Sequence, residues 1–346
     1  MDYKSYHEIT NQSVALKKTF NLLALKADEI KSFFKNQGDV VFIACGSSYW
    51  ASLSAYRTFS FYTNRRAYAV KAGDILMNPE EYKTVSTNPI LVCPSRSGAT
   101  TEQLKAIEIL RNSYRSVPLL SIVEYENSPL QQVSDLTLNI PWANEESVCQ
   151  TRSFSCLYLA MVLISAIASE NQRLLSGMKN YVENAALLHI KGEQVIRNIV
   201  NSFGNFDYLV ALGSGRQYGV AIEGAYIGIE MALLRASYYS VLELRHGPIV
   251  TTNDKTLVAI VSNGYALELE ENMAKDAKKQ GAKVLAVVSN GSFENADWVC
   301  SMDSDYPAEA VALYYVYLMQ LLAYYKAVIL GLDPDHPGNL VPYITL

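Results

Sequence analysis

The stretch Ile90-Leu-Val-Cys-Pro-Ser-Arg-Ser-Gly-Ala-Thr-Thr101 decides the fold, because a run of apolar residues changes abruptly there into a polar turn. A helical pattern follows from Glu102, with Leu104, Ile107 and Leu110 spaced three residues apart. A strand that leads through a turn into a helix N-terminus favours an anion, since the first N–H groups of a helix lack partners within it. A capped helix start needs only one hydroxyl group, whereas this turn has four, together with an arginine. The pattern therefore predicts an anion site.

Similar apolar runs recur in the first half of the chain, at Asp39–Cys45, Ala67–Lys71, Pro118–Val123 and Leu136–Ile140, and helical segments separate them. Strands without polar alternation predict a parallel sheet that is covered on both faces. Gly46-Ser-Ser48 follows the first of these strands as a second polar turn. Because ligands of open parallel sheets lie at the carboxyl ends of the strands, the two turns are expected to converge.

The second half of the chain repeats the first. Gly46 and Gly213 are 167 residues apart, as are Ser95 and Ser262, and the strands Lys283–Val288 and Asp297–Ser301 continue the correspondence. These ordered offsets predict one duplicated α/β unit. The second copy, Ser262-Asn-Gly-Tyr-Ala266, lacks counterparts of Ser97 and Thr100 and has no arginine. One phosphate site per chain is therefore expected, in the first copy.

The predicted domain organisation has five parts. Residues 1–37 are an amphipathic helical segment, residues 38–170 the first domain, and residues 171–200 a helical connection. Residues 201–330 form the second domain, and residues 331–346 a C-terminal tail near the active site. The helical region after Arg152 is expected to run to about Val200 with an interruption near Gly177. Two flavodoxin-like parallel sheets are thus the predicted fold class.

Composition excludes several classes of protein. A net charge of −5 over 346 residues, without any basic run, argues against a nucleic-acid surface. The apolar segments Cys156–Ala168 and Val311–Leu330 are predicted to be buried helices rather than membrane spans, since the first is short and the second carries Gln320, Lys326 and five tyrosines. An odd number of cysteines without C-x-x-C spacing predicts a reduced, cytoplasmic chain with no zinc site. Cys45 is a conceivable nucleophile, although a buried free cysteine is commoner.

The tandem of Ala44-Cys-Gly-Ser-Ser48 and Ser95-Arg-Ser-Gly98 resembles the sugar isomerase (SIS) domain family, and so do Glu223-Gly-Ala225, Glu243-Leu-Arg-His-Gly-Pro248 and the tail Leu332–Leu340. The pattern is similar to the isomerase half of glucosamine-6-phosphate synthase and to fructosamine-6-phosphate deglycases. The resemblance implies flavodoxin-like sheets, a homodimer and a phosphosugar substrate, and requires neither a metal nor a cofactor.

Site residues follow from the resemblance by position. The phosphate contacts would be Ser47, Ser48, Ser95, Arg96, Ser97 and Thr100. The synthase has glutamine where Arg96 stands; an arginine could bind the same oxyanion more strongly or meet a carboxylate of a different substrate. The base would be Glu230, and the acid or proton shuttle would be His246, which in the family enters the neighbouring subunit's site. Secondary candidates are Glu223, Glu145, Arg152 and His336.

Two departures from the synthase decide the predicted reaction. The synthase has a lysine three residues before the catalytic glutamate, where this chain has Ile227, and a Schiff-base lysine in the tail, where it has Pro342. Retention of Glu230 and His246 without the lysines resembles the deglycases, whose substrates already carry the nitrogen. The prediction is a deglycase that converts a fructosamine 6-phosphate, such as fructoselysine 6-phosphate, to glucose 6-phosphate and a free amine.

Two other functions stay open at this point. One is an aldose–ketose phosphosugar isomerase or an aminosugar-phosphate deaminase, which uses the same fold and acid–base pair. The other is a non-catalytic phosphosugar-binding regulator, since one fold hosts many functions. Retention of Glu230 and His246 argues against the regulator, because binding alone needs neither.

Overall fold

The structure is a computed structural model that describes residues 3–35, 38–302, 306–338 and 340. Position 342, where the resemblance places the tail lysine, lies outside the described residues, as do position 339 and the last residues of the predicted tail. The strands are β1 (Asp39–Ala44), β2 (Ala67–Lys71), β3 (Pro89–Ser95), β4 (Leu119–Val123), β5 (Leu136–Asn139), β6 (Tyr208–Leu212), β7 (Arg235–Tyr239), β8 (Thr256–Val261), β9 (Lys283–Val288) and β10 (Trp298–Ser301).

Helices separate the strands. They are α1 (Lys4–Thr10), α2 (Gln12–Leu25), α3 (Ala27–Phe33), α4 (Gly46–Thr63), α5 (Ala72–Met77), α6 (Pro79–Tyr82), α7 (Thr101–Ser113), α8 (Pro129–Gln132), α9 (Arg152–Ala168), α10 (Gln172–Phe203), α11 (Tyr218–Ala232), α12 (Leu267–Lys279) and α13 (Ala308–Ile329). The chain divides into two compact units. The first unit comprises Val14–Glu145 and Arg152–Leu175; the second comprises Ser176–Leu340 together with Glu146–Thr151 and residues 3–13.

Each unit contains one five-stranded sheet in which every pair of neighbouring strands is parallel. The order is β2-β1-β3-β4-β5 in the first unit and β7-β6-β8-β9-β10 in the second, so corresponding strands occupy corresponding places. This identity of topology confirms the predicted duplication and the predicted doubly wound α/β class.

Alternation of side chains along the strands builds a core on each face of a sheet. In the first unit Val41 of β1 and Leu91 of β3 pack with Ile107 of α7 on one face. Phe42, the next residue of β1, points to the other face, where its ring lies 6.4 Å from that of Phe59 on α4. Because both faces are covered, the strands are apolar throughout, as a parallel sheet requires.

The two apolar segments that resemble membrane spans are buried helices. Residues 153–167 of α9 are all buried, and most of α13 is buried as well, including Tyr314, Tyr315 and Tyr317. Over the part of the chain that the structure describes, no helix combines the length and the apolar character needed to cross a bilayer.

Two local predictions were wrong, and one strand was missed. The N-terminal segment is three short helices rather than one, with ends at Asn11 and Lys26. The helical region after Arg152 breaks at residues 169–171, and Gly177 lies inside α10, where a Cβ would approach Pro307 Cδ to 2.8 Å. Gly177 therefore serves close packing rather than helix termination. Strand β7 was not predicted, because this half-exposed edge strand lacks a continuous apolar run.

Candidate functional site

The β1 turn (Gly46–Ser48) is the start of an 18-residue helix. Gly46 has φ of +52°, and Ser47 and Ser48 lie in the first turn of α4, 6% and 4% exposed. The positive φ lets the chain turn directly from β1 into α4. The two hydroxyl groups therefore lie where the N–H groups and the partial positive charge of a long helix favour an anion.

The β3 turn (Ser95–Thr100) is organised by its own hydroxyl groups. Ser95 Oγ accepts a hydrogen bond of 3.0 Å from Gly98 N, and Ser97 Oγ accepts one of 3.1 Å from Ala99 N. Thr100 is the N-cap residue of α7, but its side chain makes no capping hydrogen bond and lies 3.5 Å from Ser97 Oγ. Capping therefore does not use the Thr100 hydroxyl group, which leaves it beside Ser97 at the helix start.

Gly98 is required by this turn for two reasons. Its φ is +62°, and a Cβ at this position would lie 2.4 Å from Ser128 Oγ. Any other residue would strain the backbone and collide with the loop before α8.

The two turns lie side by side because β1 and β3 are neighbouring parallel strands. Gln103, on the first turn of α7, joins the two strand ends: its Nε2 donates to Ile43 O at 2.7 Å and to Pro94 O at 3.1 Å. Gln103 is buried and holds the turns in register, a positioning role that the sequence analysis missed. The predicted phosphate contacts Ser47, Ser48, Ser95, Ser97 and Thr100 are thus brought together at one edge of the first sheet.

Arg96 is buried, with 7% of its surface exposed, and its side chain extends toward Glu145. Its Nη2 donates to the main-chain oxygen of Glu145 at 3.1 Å. The Glu145 carboxylate in turn accepts a hydrogen bond of 2.6 Å from Arg152 N at the start of α9. Three of the predicted residues (Arg96, Glu145 and Arg152) are therefore connected within the first unit.

A fourth member of this group, Glu124, was not predicted. It follows β4 directly, is 2% exposed, and one of its carboxylate oxygens accepts a hydrogen bond from Ser153 Oγ. Burial raises the pKa of Glu124 to about 8, and the charge of Glu145 raises it as well, against the opposing effects of Ser153, Arg96 and Arg152. We call Arg96, Glu124, Glu145, Arg152 and Ser153 the Glu124 cluster. A lone acidic residue immediately after a buried strand is the sequence signal that could have found it.

The raised pKa of Glu124 predicts that the Glu124→Gln variant becomes more stable relative to the wild type as the pH rises. The folded chain holds the Glu124 proton more tightly than the unfolded chain, where the pKa is near 4.5. Protonated Glu124 therefore stabilises the folded wild type fully below pH 4.5, and this contribution is lost as the pH rises toward 8. Glutamine stays neutral, so its stability relative to the wild type should increase by about 3 kcal/mol between pH 5 and pH 8. Urea unfolding at both pH values measures this difference.

The exposed Glu126, two residues further along, provides the matched control for this experiment. Glu126→Gln should change the unfolding free energy by the same small amount at both pH values. A Glu124→Gln variant that is equally destabilised at pH 5 and pH 8 would contradict the assignment of a buried, neutral carboxyl group.

The β8 turn (Ser262–Gly264), which corresponds to the β3 turn, already contains a carboxylate of the chain itself. Glu270 on the first turn of α12 is 3% exposed; it accepts hydrogen bonds from Ser262 Oγ and, at 3.3 Å, from Asn263 N. The offset of 167 residues pairs Glu270 with Gln103 of the first copy. Where the first unit has a neutral amide that links two strands, the second has a carboxyl group of the chain itself seated in the turn, and burial raises the pKa of this group.

The β6 turn, Gly213–Gly215, is likewise satisfied internally. Ser214 Oγ lies 3.0 Å from Ser240 Oγ and accepts from Val241 N at 3.0 Å. The next residue, Arg216, forms a 2.7 Å ion pair with Glu309, whose side chain is fully buried. The expectation of a single phosphate site, in the first copy, stays a prediction that these internal partners favour.

The predicted base Glu230 lies on α11 in the second unit and is half-buried. Glu223 lies seven residues earlier, two turns back along the same face of the helix. Both Glu223 and Ile227, which lies between the two glutamates, are 1% exposed. Tyr226 lies near both carboxylates: burial raises its pKa, and the charges of Glu230 and Glu223 raise it further. Glu223 and Glu230 thus share one acidic face of α11 with a tyrosine.

The two predicted histidines are both exposed. His246 ends a 3₁₀ segment, Val241–Arg245, with its main-chain N–H bonded to Glu243 O at 3.0 Å. His336 lies 3.4 Å from Asp333 in a turn of the tail. The adjacent Asp335 is buried and accepts hydrogen bonds from the main-chain N–H groups of Lys4, at 2.9 Å, and Ser5, at 2.8 Å. Asp335 therefore fixes the described part of the tail to the N-terminus.

Other groups fit catalysis or metal binding poorly. Burial raises the pKa of Cys45 to about 12, and the charge of Glu102 raises it too, so its thiolate is scarce at neutral pH. Burial lowers the pKa of His189 to about 3, and its ring stacks on Tyr317 at 3.7 Å. Among the described residues, no three His, Cys, Asp or Glu side chains are grouped in a way that could hold a metal ion.

Comparison with protein families gives a match over most of the chain. A model described as the SIS domain matches residues 33–170 and residues 207–330. The chain belongs to the SIS domain family. The two matched segments correspond to the two parallel sheets, so each sheet is one SIS domain.

Relatives of known description match this chain over almost its whole length. A glutamine–fructose-6-phosphate aminotransferase (isomerizing) of Sulfurisphaera tokodaii is 28% identical over 345 residues, which is 98% of this chain and 56% of the relative. The chain thus spans little more than half the length of this curated relative. A crystal structure described as glucosamine-6-phosphate deaminase from Thermotoga maritima has a TM-score of 0.85 at 28% identity and covers 99% of this chain and 100% of its own.

A third similarity concerns the fold alone. The structure of tagatose-6-phosphate ketose/aldose isomerase from Escherichia coli has a TM-score of 0.82 at 21% identity and covers 98% of this chain and 96% of its own. The tandem SIS fold predicted from the sequence is therefore confirmed over nearly the whole length of the chain.

Proposed function

We propose that this SIS chain is a deglycase that cleaves a fructosamine 6-phosphate, such as fructoselysine 6-phosphate, into glucose 6-phosphate and a free amine. The phosphate group would bind at the β1 and β3 turns, where two helix N-termini and five hydroxyl side chains converge. Glu230 would be the base and His246 the acid or proton shuttle. No cofactor takes part in this proposal.

The observation that carries the proposal is the acidic face of α11, a helix whose residues 218–232 include no lysine. Glu230 is kept, whereas position 227, which is a lysine in the related synthase, is an isoleucine buried in the second unit. Lys326 of the same unit is engaged elsewhere: its Nζ donates to Gly204 O at 2.7 Å and to Phe206 O at 2.6 Å. Acid–base chemistry without Schiff-base formation suits a substrate that already carries its nitrogen.

The reaction requires one proton transfer between adjacent carbons. In the open-chain adduct the nitrogen is on C1 and the carbonyl group on C2. The Glu230 carboxylate takes a proton from C1, which the carbonyl group acidifies; the electron pair forms a C1–C2 double bond, and His246 gives a proton to O2, which completes the enaminol. Glu230 returns its proton to C2 while the nitrogen electron pair forms the bond to C1, the N–H proton passes to His246, and water hydrolyses the resulting C1 imine to glucose 6-phosphate and the free amine.

A second candidate is a deaminase that converts glucosamine 6-phosphate to fructose 6-phosphate and ammonia. The full-length similarity, at 28% identity, to the Thermotoga maritima protein described as such a deaminase favours it. This reaction also moves a proton between C1 and C2 and needs the same kind of base, so Glu230 would keep its role.

A substrate panel separates the two candidates. Release of glucose 6-phosphate would be followed with a coupled assay on fructoselysine 6-phosphate and other amino-acid adducts, and release of ammonia on glucosamine 6-phosphate. Fructose 6-phosphate alone tests for plain isomerase activity. Product from an adduct supports the deglycase, and product from glucosamine 6-phosphate alone replaces it with the deaminase. Silence on the whole panel, with phosphosugar binding intact by calorimetry, would favour the non-catalytic regulator.

We also propose a homodimer in which His246 completes the partner's site. The exposed position of His246 at the end of a 3₁₀ segment supports this proposal. A mixture of the inactive variants Glu230→Gln and His246→Ala should then regain up to about a quarter of the activity, since mixed dimers contain one intact site. Failure to recover, with subunit exchange confirmed by mass spectrometry, would argue for a site built from one chain.

A further inference from the structure

The predicted phosphate site at the β1 and β3 turns is built mainly from neutral groups, which are five hydroxyl side chains and the main-chain N–H groups at the starts of α4 and α7. Arg96, the arginine of the β3 turn, is buried, and its Nη2 donates to the main-chain oxygen of Glu145 at 3.1 Å. A phosphate monoester carries about 1.5 to 2 negative charges at neutral pH. A cation from another element would therefore strengthen its binding.

Lys71 is the last residue of β2 and lies at the same edge of the first sheet. In the register of β1 and β2 it pairs with Ala44, two residues before the β1 turn begins. The two strands are parallel, so their carboxyl ends meet at one edge, about 4.8 Å apart. The Lys71 side chain is exposed. Lys71 therefore starts beside the strand end that leads into the β1 turn.

Two aromatic rings hold the Lys71 ammonium group at the start of α4. Its Nζ lies 5.5 Å from the centroid of the Tyr49 ring and 5.7 Å from that of the Trp50 ring. The N–H group of Tyr49 donates to Cys45 O at 3.3 Å and so closes the first turn of α4, directly after the two serines of the β1 turn. A cation is attracted to the faces of such rings. The ammonium group is thus kept within about one helical turn, or about 5 Å along the axis, of these serines.

The start of a helix is an unfavourable place for a cation unless an anion binds there. Helix N-termini carry a partial positive charge, so lysine is favoured at the opposite end. Among the described residues, Lys71 forms no ion pair. Burial raises the pKa of Tyr49 to about 12 and the charge of Asp74 raises it further, so a carboxylate lies near these rings without pairing with Lys71. The ammonium group is therefore available to an anion at the start of α4.

We propose that Lys71 is a phosphate-binding residue of this chain, and that Tyr49 and Trp50 hold its ammonium group at the start of α4 for this purpose. Lys71 attracts the phosphate group as a point charge and takes no part in proton transfer. The proposal rests on the proposed function only in that a phosphorylated sugar binds at the β1 and β3 turns. It does not depend on which reaction follows.

Isothermal titration of glucose 6-phosphate into Lys71→Met tests the proposal, because methionine keeps an unbranched apolar chain beside the two rings and removes the charge. At about 50 mM salt its Kd should be about 10-fold above that of the wild type. At about 500 mM salt the difference should shrink to about threefold or less, since salt shortens the range of charge interactions. Lys71→Arg keeps the charge and should stay within about twofold of the wild type. Lys18→Met removes the same net charge from an exposed position of α2 in the same unit and should match the wild type.

The other results overturn the proposal. A wild-type Kd for Lys71→Met at low salt removes Lys71 from the site. An equal loss of affinity in Lys71→Met and Lys71→Arg, unchanged by salt, means that the side chain acts by packing on the rings and not by its charge.

Two further comparisons separate this proposal from the proposed function. If Ser97→Ala, Thr100→Ala loses binding while Lys71→Met keeps it, the phosphate site stands and Lys71 alone is excluded. A wild type that does not bind glucose 6-phosphate overturns both proposals. Phosphosugar binding that depends on the Lys71 charge, without release of amine from any adduct, overturns the deglycase and leaves Lys71 in the site.

Discussion

Glu230→Gln is expected to lower kcat for amine release by 10²- to 10⁴-fold and to leave the affinity for the phosphosugar unchanged. A positioned general base contributes a factor of this size, and glutamine fills the same volume without accepting a proton. The phosphate group would bind in the first unit, whereas Glu230 lies on α11 of the second, so the substitution removes chemistry rather than phosphate contacts. Steady-state kinetics and calorimetry with the same substrate measure both quantities.

The control for this experiment is Glu268→Gln, an exposed glutamate of α12 in the same unit. It should change neither kcat nor affinity. Normal turnover by Glu230→Gln would make the assignment of the base wrong. Phosphosugar binding that Glu230→Gln retains, without any measurable turnover in the wild type, would instead point to a regulator that senses phosphosugars.

The double variant Ser97→Ala, Thr100→Ala is expected to weaken phosphosugar binding by about 3–6 kcal/mol, which raises Kd by at least 100-fold. Each hydroxyl group would donate a hydrogen bond to a charged oxygen, and such a bond contributes about 1.5–3 kcal/mol. The two oxygens are 3.5 Å apart at the start of α7, close enough for one phosphate group to accept from both. Isothermal titration of glucose 6-phosphate measures the loss.

Ser113→Ala, at the other end of α7, is the matched control for the double variant. Ser113 Oγ donates to Ile109 O within the helix, so its loss should leave Kd unchanged. Ser97 Oγ also accepts from Ala99 N, so thermal unfolding must show that the double variant stays folded. Unchanged affinity in a folded double variant would place the phosphate group elsewhere.

Most strands of the two sheets could be predicted from the sequence because the apolar runs that identify them are local patterns. β2 and β9 were predicted to the residue, since continuous apolar runs between turn residues identify buried parallel strands. The exception, β7, is an edge strand with half-exposed residues, so its signal depends on tertiary position. The N-terminal helix breaks were missed because apolar spacing continues across Asn11 and Lys26, and only the packed chain shows where the backbone turns.

The site was only partly predictable, because side-chain partners distant in sequence decide it. The hydroxyl groups of the β3 turn were visible as a motif. The hydrogen bonds from Arg96 to Glu145, 49 residues away, and from Ser153 to Glu124 could not be predicted, since neither pair belongs to a local sequence pattern. Gln103 and Glu270 were not predicted, although the sequence contained the information needed to find them. Their offset of 167 residues was available from the duplication, and a comparison of the two copies residue by residue would have exposed the exchange of an amide for an acid.

Glu270 also makes the two halves of the duplicated fold thermodynamically unequal. In the second unit the carboxyl group seated in the turn after β8 is part of the covalent chain, so its contribution to folding does not depend on the concentration of any ligand. A phosphate group bound to the first unit would contribute only in proportion to the logarithm of its concentration. The stability of the first half would then depend on the supply of that ligand, whereas the stability of the second half would not.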